Sequence, residues 1–471
     1  MKIEQIYTGC LAHAAYYLES NGEVAIFDPL REVQPYINRA KLDDAKIKYI
    51  FETHFHADFV SGHLDLMKKT GAQIVFGPTA KPNYDAIVAE DGQVFEIGDY
   101  KVKVIHTPGH TMESTTYLLI DENGEEHGII TGDTLFIGDV GRPDLAQKVV
   151  AELTQEKLAS HLYDSLRNKI MPLSDDLIVY PNHGAGSACG KNMSKETTDT
   201  LGNQKKTNYA LRADMTKEEF IEAVLDGLTE PPGYFPQNVM MNIKGYESFD
   251  SVIHKAQNAL SPKAFEAAAN ETEAIVLDVR HQSEFIKGHI PRSIFIGIDG
   301  NFAQWVGALI VDVTQPLLLV TPEGRKEEVV TRLSRVGFDN VIGYLEGGFE
   351  AWKDEGMEYD TLNSISAEEF SKLYEANKDY VFDVRREGEY VAEHVDGAKN
   401  TQLDYLNNYL GEFPEDKTFY VHCAGGYRSV IASSILKSRG IHNLVEVAGG
   451  YKAIKQTDIP RTDYVCPSTL K

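Results

Sequence analysis

The segment KIKYIFETHFHADFVSGH, residues 46–63, joins a strand-like apolar run to a dense group of metal-binding side chains. His54, His56 and Asp58 follow the run directly. Imidazole and carboxylate groups suit a borderline or hard cation such as Zn²⁺ or Fe²⁺. Position 59 is phenylalanine, where a site for two metal ions would carry another histidine. The segment therefore predicts a metal-binding loop after a strand and raises the question of how many ions it holds.

The same arrangement recurs along residues 1–250, where short apolar runs end in polar turns. The turns TPGHT, TGDT and YPNHGAG contribute His110, Asp133 and His183. Helical periodicity appears between some of the runs, as in HLDLMKKTG and AELTQEKLASHLYDSLRNKI. This alternation predicts an α/β domain in which the distant residues converge at one edge of the sheet structure.

Length and composition indicate a large globular protein and exclude some functions. The chain has 471 residues, 42% apolar and 25% charged, so we expect two or three domains. A net charge of −25 argues against binding nucleic acid or a membrane surface, and no apolar run is long enough to span a bilayer. Four cysteines and a start without a signal-peptide pattern favour reduced thiols in a cytoplasmic protein.

The second half of the chain contains a repeat: residues 274–293 parallel residues 380–400. Three matched pairs are each 105 positions apart: Asp278 and Asp383, Arg280 and Arg385, His289 and His394. Each copy reads as a parallel α/β unit of common domain size. The predicted domains are therefore 1–250, 256–360 and 363–471.

A cysteine loop lies in the second copy, at YVHCAGGYRSV, residues 420–430. Cys423 ends a strand and is followed by Gly425, Gly426, Arg428, Ser429 and a helical run. Backbone N–H groups of such a turn and the helix N-terminus favour a thiolate, and Arg428 can bind an anion such as thiosulfate. A buried structural cysteine is the plainer alternative. Phosphatase loops place five residues between Cys and Arg, whereas this loop has four.

The first copy lacks this chemistry. Aligning LLLVTPEGRKEEV with TFYVHCAGGYRSV puts Pro322 at the position of the nucleophile and Glu327 at that of the arginine. Cysteine is absent between residues 190 and 422. We therefore expect residues 256–360 to act as a spacer, a docking domain or an oligomerisation domain.

Residues 1–250 resemble the metallo-β-lactamase superfamily, through HxHxD, PGHT and GD in this order. The resemblance implies a four-layer αββα sandwich with metal at the strand ends. Members that bind two zinc ions, such as glyoxalase II hydrolases, typically carry HxHxDH, and Phe59 removes one of those ligands. Three residues are then expected around a single ion: His54, His110 and Asp133. Two histidines and one carboxylate form the facial triad of non-haem Fe(II) oxygenases.

That triad resembles the persulfide dioxygenase branch of the superfamily, which implies one Fe(II) per chain. His56, Asp58 and His183 then become neighbours that hydrogen-bond to ligands or water. GDVGRPDLA, residues 138–146, also resembles this branch; Arg142 is expected to bind a substrate carboxylate or to form a structural ion pair. Cys189, in the Gly-rich HGAGSACGK, is either an inert buried thiol or a substrate-site thiol that holds sulfane sulfur.

The loop C-A-G-G-Y-R and its flanking segments resemble rhodaneses, so Cys423 is expected to carry a persulfide. Together the resemblances imply oxidation of a low-molecular-weight thiol persulfide by O₂ to sulfite and thiol, with Cys423 transferring sulfane sulfur to or from sulfite or thiosulfate. We expect a homo-oligomer. The alternatives are a glyoxalase II-like binuclear zinc thioester hydrolase fused to a sulfurtransferase, and a non-enzymatic sulfur-carrier scaffold.

Overall fold

The computed structural model describes residues 2–145 and 153–466. Some sequence predictions extend beyond these residues: Ala146 in GDVGRPDLA, the first two residues of the helical segment 151–170, and the outer ends of the domains 1–250 and 363–471. The chain divides into two compact units: Met1–Ser251 with Leu333–Phe338, and Val252–Arg332 with Asp339–Lys471.

Within the described residues, the first unit has two six-stranded sheets. The first, in spatial order, consists of β1 Lys2–Thr8, β2 His13–Ser20, β3 Glu23–Phe27, β4 Lys46–Phe51, β5 Gln73–Phe76 and β6 Ile87–Val88. The second, also in spatial order, consists of β7 Val94–Ile97, β8 Tyr100–His106, β9 Thr115–Ile120, β10 Glu126–Gly132, β11 Ile178–Pro181 and β12 Asp199–Thr200. Strands β3 to β6 pair in parallel, as do β10 and β11; the other neighbours are antiparallel.

Local signals explain where the helices of this region begin and end. The helices are α1 Gln34–Leu42, α2 His63–Thr70, α3 Gln155–Ser165, α4 Leu201–Thr207, α5 Lys217–Leu225, α6 Phe235–Lys244 and α7 Phe249–Lys255. A capping box between Thr216 and Glu219 starts α5, and Gly71 ends α2 in a left-handed conformation. Helix α3 continues through a π-helical turn, Leu166–Ile170, so the predicted long helix is real but irregular.

The buried residues form three layers of packing that build the predicted αββα sandwich. Phe27 and Phe51 of the first sheet share a cluster with Tyr117 of the second sheet. The outer face of the first sheet packs against α1 and α2, through residues such as Tyr36. The outer face of the second sheet packs against α3, α4 and α5, through residues such as Leu162. Each sheet is therefore covered on both faces, which is why several of its strands read as continuous apolar runs.

In the described residues the second unit contains two five-stranded sheets, and every pairing in them is parallel. The strands of the first copy are β13 Ala259–Leu260, β14 Ile275–Asp278, β15 Ile294–Phe295, β16 Leu317–Val320 and β17 Val341–Leu345. Those of the second copy are β18 Ser364–Ile365, β19 Val381–Asp383, β20 Lys399–Asn400, β21 Phe419–His422 and β22 Leu444–Val447. The spatial orders, β13-β17-β16-β14-β15 and β18-β22-β21-β19-β20, are equivalent, as the sequence repeat predicts.

Four helices of each copy correspond in pairs, and α10 of the first copy has no α-helical counterpart among the described residues of the second. The first copy has α8 Pro262–Thr272, α9 Gln282–Lys287, α10 Phe302–Leu309, α11 Lys326–Arg335 and α12 Gly348–Asp354. The second copy has α13 Ala367–Asn377, α14 Glu387–Ala392, α15 Tyr427–Ser438 and α16 Gly450–Ile454. Among the described helices, none combines the length and apolar character needed to cross a bilayer.

Candidate metal centre and cysteine loop

The three predicted metal ligands converge at one edge of the sandwich. His54 follows β4, His110 follows β8 and Asp133 follows β10 directly. His110 Nε2 lies 3.5 Å from Asp133 Oδ2, and His54 Nε2 lies 3.9 Å from the same oxygen. All three side chains are buried. We call these three residues the metal triad.

Hydrogen bonds orient both histidines of the metal triad. The carbonyl oxygen of Arg142 can only accept, so His110 Nδ1, 2.8 Å away, carries the proton and Nε2 is left unprotonated. Thr53 Oγ1 lies 3.2 Å from Asp28 Oδ1 and 2.9 Å from His54 Nδ1. Because the hydroxyl can donate its proton to the carboxylate, it accepts from His54 Nδ1 and again leaves Nε2 as the free nitrogen.

The metal triad fits a divalent cation. His54 Nε2 and both carboxylate oxygens of Asp133 have no hydrogen-bond partner among the residues that the structure describes. Burying such atoms without a partner is costly, and a cation would satisfy them together. Burial, assisted by the neighbouring His56 and His110, also lowers the pKa of His54 well below its usual value, so the imidazole is neutral. Neutral imidazole is the form that binds metal.

His56 has a different environment from His54. Its Nε2 lies 2.9 Å from Asp28 Oδ1 and 3.3 Å from Glu52 Oε2. Burial opposes protonation, but the two carboxylates prevail and raise the pKa of His56 well above its usual value. His56 is therefore an imidazolium held between two carboxylates. We call Asp28, Glu52 and His56 the imidazolium cluster.

Sequence reasoning did not single out Asp28, Glu52 or His13. Asp28 directly follows the strand β3, and Glu52 directly precedes the metal-binding loop, so their positions after strands were the available signal. His13 begins β2 and had no such signal; its Nε2 lies 2.9 Å from the carbonyl oxygen of Asp28. The ring of Phe59 lies 4.3 Å from those of both His13 and His56. Position 59 therefore serves packing in this chain.

Asp58 and His183 lie together with Cys189. The three ligand atoms lie within 4.8 Å of one another, and all three side chains are buried. Burial first, and then the nearby carboxylates of Asp58 and Asp133, raise the pKa of the Cys189 thiol well above its usual value. We call Asp58, His183 and Cys189 the Cys189 cluster.

Arg142 is committed to internal contacts. Its guanidinium donates two hydrogen bonds of 2.7 Å to the carboxylate of Asp144 and others to the carbonyl oxygens of Ala188 and Thr229. Its backbone N–H donates to the carbonyl oxygen of Cys189. This geometry favours the structural ion pair over the alternative in which Arg142 binds a substrate carboxylate. Arg142 instead ties the loop of Cys189 to the loop that orients His110.

Cys423 lies at the end of β21, in a turn that surrounds its sulfur. Its side chain is 1% exposed, and the backbone N–H of Gly426 donates to Sγ over 3.1 Å. Helix α15 begins at the next residue, Tyr427, and directs its positive end to the same turn. Gly450 must lack a side chain here, because it adopts φ +55° and a Cβ would collide with the Cys423 carbonyl. The turn therefore favours negative charge on the sulfur.

The two polar residues after Tyr427 have partners in the second copy. Arg428 donates hydrogen bonds of 2.7 and 2.8 Å to the carboxylate of Glu389. Ser429 Oγ lies 3.5 Å from Cys423 Sγ and donates to Glu446 Oε1 over 2.7 Å. Burial raises the pKa of Glu446.

Tyr427 reaches from the cysteine loop into the first copy of the repeat. Its hydroxyl donates to the carbonyl oxygen of Gly297 over 2.7 Å. Gly300 leaves the space for the ring, since a Cβ at that residue would overlap Cζ of Tyr427. The first copy therefore supports the loop that carries Cys423.

Gly300→Ala is expected to slow sulfur transfer by about 10- to 100-fold, because displacing a reacting group by about 1 Å costs rates of that order. The variant has no backbone reason to misfold, since Gly300 has no positive φ. Thiosulfate sulfurtransferase assays provide the measurement, and Gly411→Ala in the second copy is the control, because Gly411 has open space around it and no positive φ. A wild-type rate in Gly300→Ala would show that the contact has no part in transfer.

The first copy has a helix at the position equivalent to α15, but it lacks the cysteine and the arginine of the cysteine loop. Pro322 stands four residues before the start of α11, as Cys423 stands four before α15. Glu327 and Glu328 occupy the first turn of α11. Two carboxylates at this position repel the anion that an arginine would attract.

Pro322→Cys is therefore not expected to give the first copy sulfurtransferase activity. The test uses chains that also carry Cys423→Ser, so that any transfer from thiosulfate reports on position 322. Adding Glu327→Arg to the same chain tests the charge argument separately. Transfer by the Pro322→Cys chain alone would contradict it.

Comparisons with known proteins support the assignment of both regions. A family model described as "Metallo-beta-lactamase superfamily" matches residues 8–84, and one described as "Rhodanese-like domain" matches residues 261–355 and 366–457. The crystal structure of a metallo-beta-lactamase from Staphylococcus aureus is 30% identical, with a TM-score of 0.64. It covers 73% of this chain, and this chain covers 98% of it.

Two further relatives match part of this chain. Hydroxyacylglutathione hydrolase GloC from Haemophilus influenzae is 28% identical over 189 residues, which is 36% of this chain and 82% of that protein. The crystal structure of ETHE1 from Myxococcus xanthus is 25% identical, with a TM-score of 0.43, and the match covers 52% of this chain and 96% of that chain.

Proposed function

Because the chain belongs to the metallo-β-lactamase superfamily and carries two rhodanese-like domains, we propose that it metabolises sulfane sulfur at two sites. At the metal triad, a low-molecular-weight thiol persulfide is oxidised by O₂. The persulfide R–S–S–H, O₂ and water give the thiol R–S–H, sulfite and two protons. At Cys423, sulfane sulfur is transferred to or from sulfite or thiosulfate.

One observation carries the proposal: the metal triad and the cysteine loop of Cys423 occur in the same chain. Two imidazoles and one carboxylate match the ligand set of non-haem Fe(II) oxygenases, and they leave coordination positions open. A bound Fe(II) would supply the redox chemistry that O₂ requires. A product of the first site, sulfite, is a substrate for the second, so fusion raises its local concentration.

Residues around the metal triad hold its histidines in the orientation that metal binding requires. Thr53 and the carbonyl oxygen of Arg142 fix which nitrogen of each histidine faces the metal. Gly132, at the end of β10, adopts φ +54° and leaves room for Thr53, because a Cβ would lie 2.6 Å from the threonine side chain. The burial of the triad excludes bulk water, which strengthens its electrostatic interaction with a cation.

At the cysteine loop the transfer is a displacement at sulfur. The Cys423 thiolate attacks the outer sulfur of thiosulfate; a new S–S bond forms while the bond to the sulfonate sulfur breaks and sulfite leaves. The Gly426 N–H and the positive end of α15 stabilise charge on Sγ. Thiosulfate would compete with Glu389 for Arg428. The opposite direction, from a Cys423 persulfide to sulfite, follows the same path in reverse.

Thioester hydrolysis is the second candidate function. It is favoured by the curated relative from Haemophilus influenzae, whose name is hydroxyacylglutathione hydrolase. Phe59 argues against it, because the residue at that position packs against His13 and His56 and cannot bind a second ion.

Metal content and O₂ uptake distinguish the two candidates. Protein purified without air is expected to contain about one iron per chain and to consume O₂ with glutathione persulfide. S-lactoylglutathione serves as the thioester in parallel assays. Thioester hydrolysis by a zinc-loaded chain, without O₂ uptake for any of several thiol persulfides, would overturn the dioxygenase proposal.

A further inference from the structure

Glu446 is a buried carboxylate directly behind the cysteine loop. It lies in β22, and its neighbours Val445 and Val447 belong to an apolar core cluster. Because side chains alternate along a strand, Glu446 faces the opposite side of the sheet, toward Ser429 of α15. Glu446 is 1% exposed, and among the described residues it forms no ion pair. Burying a carboxylate in this way is costly, which is typical of carboxylates that serve a function.

Two serine hydroxyls and the thiol of Cys423 form a line of hydrogen bonds with this carboxylate. Ser364 Oγ donates to Glu446 Oε2 over 2.6 Å, and Ser429 Oγ donates to Glu446 Oε1 over 2.7 Å. Because the Ser429 hydroxyl gives its only proton to Glu446, its oxygen is free to accept from the S–H of Cys423, whose sulfur lies 3.5 Å away. The thiol proton therefore has a continuous path through Ser429 to Glu446.

The first copy of the repeat has a different residue at every position of this line. The equivalences follow from the strand pairing, which is the same for β13 with β17 as for β18 with β22, and from the starts of α11 and α15. The equivalent residues, second copy first, are Ser364 and Ala259, Cys423 and Pro322, Ser429 and Glu328, and Glu446 and Tyr344. The buried Asp–Arg pair, in contrast, is present in both copies. This joint absence ties the two serines and the glutamate to the chemistry of the nucleophile rather than to the fold.

Other charged or titratable groups also surround the cysteine loop. They are Asp383 of β19, the nearby Arg385, Glu389 of α14, His422 of β21, Arg428 of α15 and Tyr451 of α16. Four of these groups are paired with each other, Asp383 with Arg385 and Glu389 with Arg428. Burial lowers the pKa of His422 and raises that of Tyr451, so both side chains are neutral at neutral pH. Within the described residues, only Glu446 shares a hydrogen bond with a side chain that contacts Cys423 Sγ.

We propose that Ser429 and Glu446 form a proton relay for Cys423, in which the thiol proton passes to Ser429 Oγ while the hydroxyl proton of Ser429 passes to Glu446 Oε1. The S–H bond of Cys423 breaks, an O–H bond forms on Glu446, and the thiolate arises without exchange of a proton with solvent. Both states are hydrogen-bonded throughout, because Glu446 then donates to Ser429 and Ser429 donates to the sulfur. Burial raises the pKa of the Glu446 carboxyl, which makes it a stronger base than an exposed glutamate.

The relay rests on the proposed sulfurtransferase function and adds the group that holds the proton during the transfer. When the Cys423 thiolate attacks thiosulfate, sulfite leaves and the persulfide anion remains on Cys423. Glu446 is neutral at this stage, so it does not repel the persulfide. When the outer sulfur passes on to sulfite, the thiolate forms again and takes its proton back through Ser429. Ser429 contacts the reacting sulfur, whereas Glu446 acts only through Ser429.

Alkylation of Cys423 by iodoacetamide tests the relay in the full-length chain, because the thiolate is the form that reacts and the uncharged reagent is not attracted by Arg428. Mass spectrometry of the peptide that contains Cys423 gives the rate from mildly acidic to alkaline pH. The wild-type rate is expected to rise in two steps, since a coupled thiol and carboxyl titrate with two apparent pKa values. Glu446→Gln keeps the side-chain size but cannot take up a proton. It should leave a single step and lower the rate in mildly acidic buffer by at least about 10-fold.

A second variant, Ser429→Ala, should give the same single step, and Ser433→Ala, at a buried serine one turn further along α15, is the matched control that should keep both steps. Circular dichroism reports whether each variant is folded. A single step in the wild type would overturn the relay. So would a Glu446→Gln chain that reacts as fast as the wild type in acidic buffer, or faster, because loss of a negative charge alone favours the thiolate. Alkylation needs no thiosulfate, so failure of the sulfurtransferase proposal would appear separately, as a wild type with two steps that transfers no sulfur.

Discussion

Asp133→Ala is expected to remove iron from the metal triad and to abolish O₂ consumption, while sulfur transfer by Cys423 continues. Asp133 is the proposed anionic ligand of the triad, and its Oδ2 lies 3.9 Å from His54 Nε2 and 3.5 Å from His110 Nε2. Loss of a group that merely orients a ligand costs about 10- to 100-fold in metal affinity or activity, so loss of the ligand should cost at least about 100-fold. Iron content and O₂ uptake with glutathione persulfide measure the first effect, and thiosulfate sulfurtransferase activity measures the second.

In the metal-free protein, Asp133→Ala is not expected to lower the unfolding temperature. Both Asp133 oxygens lack a hydrogen-bond partner within the described residues, and a buried carboxylate without a partner is destabilising by about 1–3 kcal/mol. Chelator-treated Asp133→Ala should therefore unfold at the same temperature as the chelator-treated wild type or above it. The ligand is thus expected to reduce the stability of the empty fold and to increase that of the loaded one.

Asp139→Asn is the matched control for Asp133→Ala. Asp139 is also buried, but its Oδ2 accepts hydrogen bonds from the backbone N–H groups of Lys191 and Asn192. Asp139→Asn should lower the stability of the metal-free chain while it leaves iron in the metal triad. Iron and O₂ uptake at wild-type levels in Asp133→Ala would mean that these three residues do not form the iron site.

The part of the site that could be predicted from sequence is the part marked by a local pattern, namely an apolar run followed by a polar turn. Apolar runs that end in polar turns predicted the strands β4 and β10 and the loops that follow them. Because β8, β10 and β11 run in the same direction, the turns after them share one edge of the sheet. His110, Asp133 and His183 are therefore brought together by strand direction, which the order of turns alone already suggested.

The imidazolium cluster and the Cys189 cluster depend on contacts that have no sequence signal. Glu52 points to His56 four residues later, and Asp28 approaches the same imidazole from a neighbouring strand. Cys189 follows His183 by six residues in a loop whose course is set by Arg142. Periodicity says where strands end, but the direction of a side chain after the strand depends on loop packing.

In the repeat, too, some contacts could be predicted from the sequence and others could not. The Asp278–Arg280 and Asp383–Arg385 pairs, predicted as equivalent, make the same two-pronged contact in each copy, with the guanidinium also bonded to a backbone carbonyl oxygen. They are structural, which explains why they persist where the nucleophile does not. The pairing of Arg428 with Glu389 was not predictable, because Glu389 lies on a different helix.

Cys423→Ser is expected to abolish sulfur transfer, by at least about a thousandfold, and to leave O₂ uptake with supplied persulfide unchanged. A serine hydroxyl stays protonated in this turn and forms no persulfide, and loss of a nucleophile removes the covalent route entirely. The smaller oxygen can still accept from the Gly426 N–H, so the turn should keep its shape. Cys466→Ser, at an exposed position, is the control and should retain both activities.

The products formed from persulfide and O₂ give the sharper measurement. In the wild type, the Cys423 thiolate can take the outer sulfur of the supplied persulfide and release the thiol R–S–H. Sulfite formed at the metal triad can then accept that sulfur and free the Cys423 thiolate, so thiosulfate should accumulate. In Cys423→Ser the same O₂ uptake should yield sulfite instead. If O₂ uptake stopped as well, the two sites would not be separable. If thiosulfate still accumulated at the wild-type rate, Cys423 would not be the residue that carries the sulfur to sulfite.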